Sequence, residues 1–239
     1  MPSKFFVEVR DRQYKRVGVV EQYTSMEAIT RFNGVGSWTL TVPADSPEAD
    51  ILVEGCGIIV WIEGVPAPIM SGPLRAIDHV WSADQPGASQ AVYTGVSDEA
   101  LLWSRVTLPV PSAGIDGQTA ERYTASGPAG RVMRDLVDVN AGPSARADRI
   151  IPQLDVPLSA LGARVHITTR FDTMGVKLQE IGAATGVGWR LRQGLADRLS
   201  FESYRPVAHS AGRATFSPSA GNLVAYQYKL AAPTASRFV

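Results

Sequence analysis

The chain is 239 residues long, 45% hydrophobic and 19% charged, which suits one large globular domain or two small ones and excludes a disordered chain. Lysine plus arginine and aspartate plus glutamate number 23 each, so no global charge draws the protein toward nucleic acid or an anionic membrane, although a local patch is not excluded. The single cysteine, Cys56, excludes an internal disulfide and reads as a small buried hydrophobe, in keeping with a reducing compartment or with a particle assembled in one.

The opening MPSKFFVEVRDRQYKR turns charged too early for a signal peptide, and no window approaches the ~18–20 apolar residues of a membrane span, so a soluble protein is expected. Within it, residues 5–10 read as a strand with Phe5, Val7 and Val9 on one face. Residues 17–20 return toward a second strand. Residues 25–45 then read as a β-hairpin connected at Asn33-Gly34-Val35-Gly36. In its second strand Trp38, Leu40 and Val42 point one way, toward a core, and Ser37, Thr39 and Thr41 the other.

Pro43 and Pro47 stop that strand, and residues 45–53 have room for one helical turn. The β-branched run at 58–62 reads as a strand buried on both faces. Residues 74–82 alternate, with Leu74, Ala76, Asp78 and Val80 opposite Arg75, Ile77, His79 and Trp81, and residues 90–96 follow after a polar turn. Strands every ~8–12 residues suggest an antiparallel barrel or sandwich through about Val106.

The proline- and glycine-rich stretch 109–122 reads as a boundary. Beyond it, residues 129–140 have helical spacing, with Val132, Leu136 and Val139 in one stripe, Met133 and Val137 beside it, and Arg131, Arg134, Asp135 and Asp138 toward water. Residues 164–169 alternate as a strand. A second helix is expected to 185, with Asp172 or Thr173 as N-cap, an apolar set of Val176, Leu178, Ile181 and Ala184, and Gly186 just past its end. Residues 187–191 and 199–204 then read as a hairpin around Gly194, and a last alternating strand from Asn222 carries Val224, Tyr226, Tyr228 and Leu230. The fold class expected is α+β, mainly β: residues 1–106 β, residues 107–205 an α+β middle domain, and residues 206–239 terminal strands.

No catalytic constellation emerges from this order. Gly182 to Gly188, GAATGVG, closes a helix, whereas phosphate-binding loops open one, so it reads as a helix stop. His79, His166 and His209 lie far apart without cysteine companions, and read as strand or loop residues in preference to metal ligands. Asp135 and Asp138 beside Arg131 and Arg134 read as a salt-bridged surface in preference to an acid/base pair. A nucleophilic role for Cys56 needs a histidine brought close in space. Tyr226 and Tyr228 have the spacing to stack on a base or a sugar, but core packing is the more common use of such a pair. No catalytic, cofactor-binding or metal-binding residue is therefore assigned, and no cofactor is expected.

Several ordered stretches resemble one family: FFVEVRDRQYKRVGVVEQY, RFNGVGSWTLTVPAD, IIVWIEGVPAPIMSGPL, YTGVSDEALLWSRV, GRVMRDLVDVNAG, LQEIGAATGVGWRL and FSPSAGNLVAYQYKLAAPTASR. Together they resemble the minor tail proteins of siphophages infecting actinobacteria, which are similar to the baseplate hub proteins of contractile tails. The resemblance implies a non-enzymatic structural protein of the virion, assembled in the host cytoplasm and sited at the distal tail end. It implies a β-barrel, tube-like hub domain that closes with other copies into a ring below the tail tube, with an inserted or following α+β domain. Partners implied are further copies of the chain, a distal tail protein, a tape measure protein and other tail-tip proteins, with DNA passing through the lumen and no stable membrane association.

Such proteins carry two tube-like domains per chain, so that a trimer matches a sixfold tube. This chain stops at Ser236-Arg237-Phe238-Val239, about where a second tube domain would begin. The expectation is thus a truncated product, a portion of a longer protein or a short variant, with residues 206–239 either returning to the barrel or opening the second domain. A trimer is favoured, and a hexamer would serve a one-barrel chain. The readings left beside it are a cell-wall hydrolase and a carbohydrate-binding module at the tail tip.

Overall fold

Alternation of apolar and polar residues carries the first part of the chain into antiparallel strands. The computed structural model describes residues 5–81 and 89–207. The strands are β1 (Phe5–Arg10), β2 (Arg16–Val20), β3 (Ser25–Ile29), β4 (Ser37–Pro43), β5 (Gly57–Ile62), β6 (Met70–Val80) and β7 (Gln90–Val96), with a short helix, α1 (Pro47–Ile51), between β4 and β5. They form a seven-stranded sheet of order β2-β1-β5-β6-β7-β4-β3, antiparallel throughout.

A flat sheet of this order would hold β2 and β3 about 29 Å apart, at ~4.8 Å per strand spacing. Side chains from both ends nevertheless share one core. Val7, Val9, Val20, Ile58 and Val60 from one half pack in a single cluster with Trp38, Leu40, Val42, Ala91 and Tyr93 from the other. The sheet is therefore curled on itself. Its long member, β6, joins the halves: residues 70–73 pair with β5 and residues 74–80 with β7.

Two expectations change here. The pairing ladder ends at β2 and β3 without joining them, so among the described residues the barrel is an open, curled sheet. And a β-bulge between Leu74 and Ala76 breaks the alternation expected in β6. Leu74 lies opposite Gly95 but Ala76 lies opposite Thr94, so Leu74 no longer shares a face with Ala76, Asp78 and Val80. Beyond the bulge β6 is exposed on both faces.

The second part is built from α2 (Ala100–Trp103), β8 (Tyr123–Pro128), α3 (Ala129–Ala141), β9 (Leu154–Asp155), β10 (Arg164–Thr169), α4 (Met174–Thr185), β11 (Gly188–Gln193) and β12 (Leu199–Tyr204). β8 pairs with β10, and β11, β12 and β9 form a second small sheet. α3 packs on α4, β8, β10 and β12, and α4 packs on α2 and β11. Their core gathers Val132, Met133, Leu136, Val137, Leu178, Ile181, Trp189, Leu191 and Phe201. Tyr14, from the β1–β2 turn, and Leu102 also reach into it. Strands β8 and β9 and helix α2 were not expected, being too short or too polar to show a period.

Both long helices fall where their spacing placed them, with particular departures. Asp138 is buried, not turned to water, because its carboxylate accepts hydrogen bonds from the backbone N–H (3.2 Å) and hydroxyl (2.9 Å) of Ser144 just past the helix end. Val176 is 37% exposed although Leu178 and Ile181 are buried. Residues two apart on a helix point to nearly opposite sides, and α4 is covered on one side. Asp172 and Thr173 do not cap α4 with their side chains. The Met174 N–H instead donates to the Arg105 carbonyl at 2.8 Å. Gly186 ends the helix in the left-handed region with φ of 69°, as expected.

Leu136 is fully buried at the centre of the second core. Leu136→Ala is expected to cost about 2–5 kcal/mol in urea unfolding, through lost transfer energy and a residual cavity. A loss under about 1 kcal/mol would contradict this placement.

Candidate functional site

The two cores meet along the free edge of β11. In an antiparallel pair, alternate N–H groups face the partner strand and the rest face away. Here those facing away from β12 belong to Trp189, Leu191 and Gln193, and buried donors of this kind need acceptors. Each finds one on a different element of the large sheet or its extension. Asn33 Oδ1 accepts from the Trp189 N–H at 2.7 Å, Glu99 Oε1 from Leu191 at 3.2 Å and Ser71 Oγ from Gln193 at 2.7 Å.

Asn33 sits in the β3–β4 turn with φ of 50°, a left-handed conformation that asparagine tolerates. Its Nδ2 also donates to the Val187 carbonyl at 3.1 Å, so the side-chain amide pairs with β11 as a neighbouring strand would. Gly182 makes this approach possible: a Cβ there would lie 2.1 Å from Asn33 Nδ2. The glycine-rich stretch 182–188 thus ends a helix, as its order implied, and also provides the space in which the hairpin turn docks.

Beside this seam lies a buried ion pair. Arg10 on β1 meets Asp98 at 2.5 Å, with side-chain exposures of 3% and 1%. Ser71 donates to the other Asp98 oxygen at 2.5 Å, Arg10 donates to Gln193 Oε1 at 3.1 Å, and Gln193 Nε2 donates to the Tyr14 carbonyl at 2.6 Å. The Arg10 guanidinium also lies 4.9 Å over the Tyr14 ring. Every member of the network is thereby partnered, the condition under which a buried pair is tolerated.

A cleft of about 510 Å³ opens along the same seam, lined among others by Phe32, Pro66, Glu99, Arg190, Arg192 and Tyr204. Arg190 and Arg192 share Glu202, at 2.7 and 3.3 Å, and Arg192 also donates to the Pro68 carbonyl. The Arg190 guanidinium lies 4.9 Å from the Tyr204 ring centre, and Phe32 meets that ring edge-on at 6.4 Å. Burial pushes the Glu99 carboxyl up to about 7, against the hydrogen bonds from Ser97 and Leu191 that favour its charged form. Two of the cleft's hydroxyls are engaged: Ser71 bonds Asp98 and the Gln193 N–H, and Ser97 accepts from the Gly36 N–H at 2.8 Å. Among the described residues no histidine lines it. The arrangement holds two layers together.

The residues weighed from sequence lie elsewhere. His79 is on the exposed part of β6, and His166 on β10 has Nδ1 2.7 Å from Ser126 Oγ. His209, Tyr226 and Tyr228 lie outside the described residues. Cys56 is buried, and desolvation pushes its thiol up to about 11, so it stays protonated at neutral pH. Asp135 pairs with Arg131 at 3.5 Å and Arg134 at 2.9 Å, as a surface pair would. Among the described residues no three histidine, cysteine, aspartate or glutamate side chains gather as a metal site. Sequence reasoning passed over Ser71, Asp98, Glu99 and Gln193, which belong to no motif. Asn33 alone carried a signal, as an asparagine before glycine in a turn.

The protein family described as "Siphovirus ReqiPepy6 Gp37-like protein" matches residues 6–239. No curated protein matches the chain. Among solved structures, the Escherichia coli c3393 protein is similar at 10% identity and a TM-score of 0.39, over 84% of this chain and 46% of that one. It is described as a component of the type VI secretion system with structural similarity to the T4 bacteriophage tail proteins gp27 and gp5. The chain thus spans less than half the length of that protein.

Removing Asn33 strands a buried N–H and a buried carbonyl, so Asn33→Ala is expected to cost about 2–4 kcal/mol in chemical denaturation. A loss below about 0.5 kcal/mol would mean the turn does not hold β11. For Glu99 the folded pKa, about 7, lies above the ordinary value of 4.5, so the folded state holds its proton longer. Stability from this group is therefore full below pH 4.5 and lost as pH rises to about 7, by up to about 3 kcal/mol. Glu99→Gln keeps an acceptor for Leu191 without the charge, and should flatten that decline and exceed the native protein in stability at pH 8. Parallel pH–stability curves for the two would refute it.

Proposed function

We propose that this chain, which belongs to the siphovirus Gp37-like family, is a non-catalytic structural component of the phage tail, placed at its distal tip. There, copies would form a ring below the tail tube, guiding tail assembly and letting DNA pass at infection. The protein would then be a virion component, with the proteins that adjoin it in the tail as its partners.

The observation that carries this reading is the open edge of the curled sheet. β2 and β3 each pair on one side alone among the described residues, and so does the part of β6 beyond the bulge. Unpaired edges on a monomer invite association, and a sheet that bends toward closure without achieving it is suited to a wall shared between copies. Charge agrees with that role. Equal numbers of acidic and basic residues leave no net field to trap a passing polyphosphate, whose grip would grow with each phosphate neutralised. The buried Cys56 thiol, which stays protonated at neutral pH, favours a scaffold over a thiol-dependent hydrolase.

Negative-stain electron microscopy and light scattering on the purified full-length chain test this. Rings of three or six copies around a pore are expected, with a mass that is a multiple of the chain's. A species that stays monomeric at high concentration would overturn the ring.

A further inference from the structure

The cleft on the seam does not stop at Tyr204. Arg190 and Tyr204 also line a second hollow of about 450 Å³, bounded by Arg134 on α3 and by residues 157–161. The register of β11 and β12 explains why both hollows meet there. Trp189, Leu191 and Phe201 turn into the second core, so Arg190, Arg192, Glu202 and Tyr204 share the opposite face of the pair. That face is the floor of a groove running from the β3–β4 turn toward α3. Phe32 and Val65 stand exposed along one hollow and Leu158 along the other, and Pro66 and Pro68 stiffen the wall before β6.

In a chain with equal numbers of acidic and basic residues, this groove holds a local excess of positive charge. Arg31, Arg190 and Arg192 line the first hollow with a single acid, Glu99, whose charge burial reduces near neutral pH. Arg190 and Arg192 divide one oxygen of Glu202 between them, and each guanidinium has five N–H donors, so both keep donors to spare. Arg31 has no carboxylate within 4.0 Å among the described residues. Arg134 is tied to Asp135 and Asp138, which line neither hollow, and adds little to this excess.

An elongated groove with apolar walls and spare guanidinium donors complements an extended peptide bearing carboxylates, which a guanidinium binds through two parallel hydrogen bonds. Residues 207–239 do not supply those charges, since they contain Arg213, Lys229 and Arg237 and no aspartate or glutamate. A nucleic acid needs a longer basic stripe to neutralise its phosphates. We propose that the groove along the outer face of β11 and β12 binds an extended, acidic segment of another protein. Arg31, Arg190 and Arg192 take its carboxylates, and Phe32 and Leu158 cover its apolar side chains. The site does not rest on the ring, because a peptide fills it whether the chain is single or assembled.

The test uses the full chain, labelled with nitrogen-15 and titrated at constant ionic strength with a short peptide alternating glutamate and valine. Saturable binding with a dissociation constant below about 0.1 mM is expected, with shifts centred on the Phe32, Arg190 and Tyr204 amides. Arg31→Glu, at an exposed turn position, is expected to weaken binding about fivefold. Arg12→Glu, equally exposed but outside both hollows, is expected to leave it unchanged. No saturable binding up to about 1 mM, or shifts centred elsewhere, overturns the proposal, and neither readout needs a variant to fold. Equal losses in the two variants also overturn it, because they mean attraction to the whole surface. So does equal or tighter binding of the lysine–valine counterpart, of a short oligothymidylate or of a neutral glucan oligosaccharide.

Discussion

One constraint governs how the two halves of this molecule meet: an edge strand with buried N–H groups cannot be left without acceptors. β11 presents Trp189, Leu191 and Gln193 to the large sheet, and among the described residues no neighbouring strand lies there to receive them. Side chains do so in place of a backbone. Asn33, Glu99 and Ser71 come from the β3–β4 turn, the start of α2 and β6, so the seam spans the sheet from its edge hairpin to its centre. A backbone ladder would tolerate many sequences. A ladder built from side chains demands particular residues at particular positions, and any one lost leaves a buried donor unmet.

The buried Arg10–Asp98 pair stands on the same terms. Taking both charges out of water costs several kcal/mol per ion, and the return depends on full partnering. Ser71 and Gln193 supply it, and both belong also to the seam. The ion pair and the strand edge are therefore one polar network that fixes the orientation of the α+β layer against the sheet. Tyr14 extends it by reaching from the β1–β2 turn into the second core. The network contributes specificity of docking, while the two hydrophobic clusters contribute the bulk of the stability.

The glycines of the second half show the same logic from the other side. Gly182 lies inside a helix, where glycine costs about 1 kcal/mol against alanine. It is placed there because the Asn33 amide occupies the space a Cβ would need. A residue that weakens α4 as an isolated helix thus strengthens the contact that holds the helix to the hairpin.

Much of the architecture was legible in the residues alone. The alternation at 37–42, the apolar run at 58–62, the helical spacing at 129–140 and the glycine after Thr185 each determine an element locally, through a period or a forbidden φ. The faces of the first strands and the inertness of Cys56 follow the same way, from apolar side chains that have to be buried. Only the tertiary structure decided the rest. The bulge at Leu74–Ala76 depends on how β7 lies beside β6. The burial of Asp138 depends on a serine beyond the helix end, and the seam depends on residues up to 156 positions apart. Hydrogen bonds between such distant groups leave no period in the sequence, because their geometry exists only after both cores have formed.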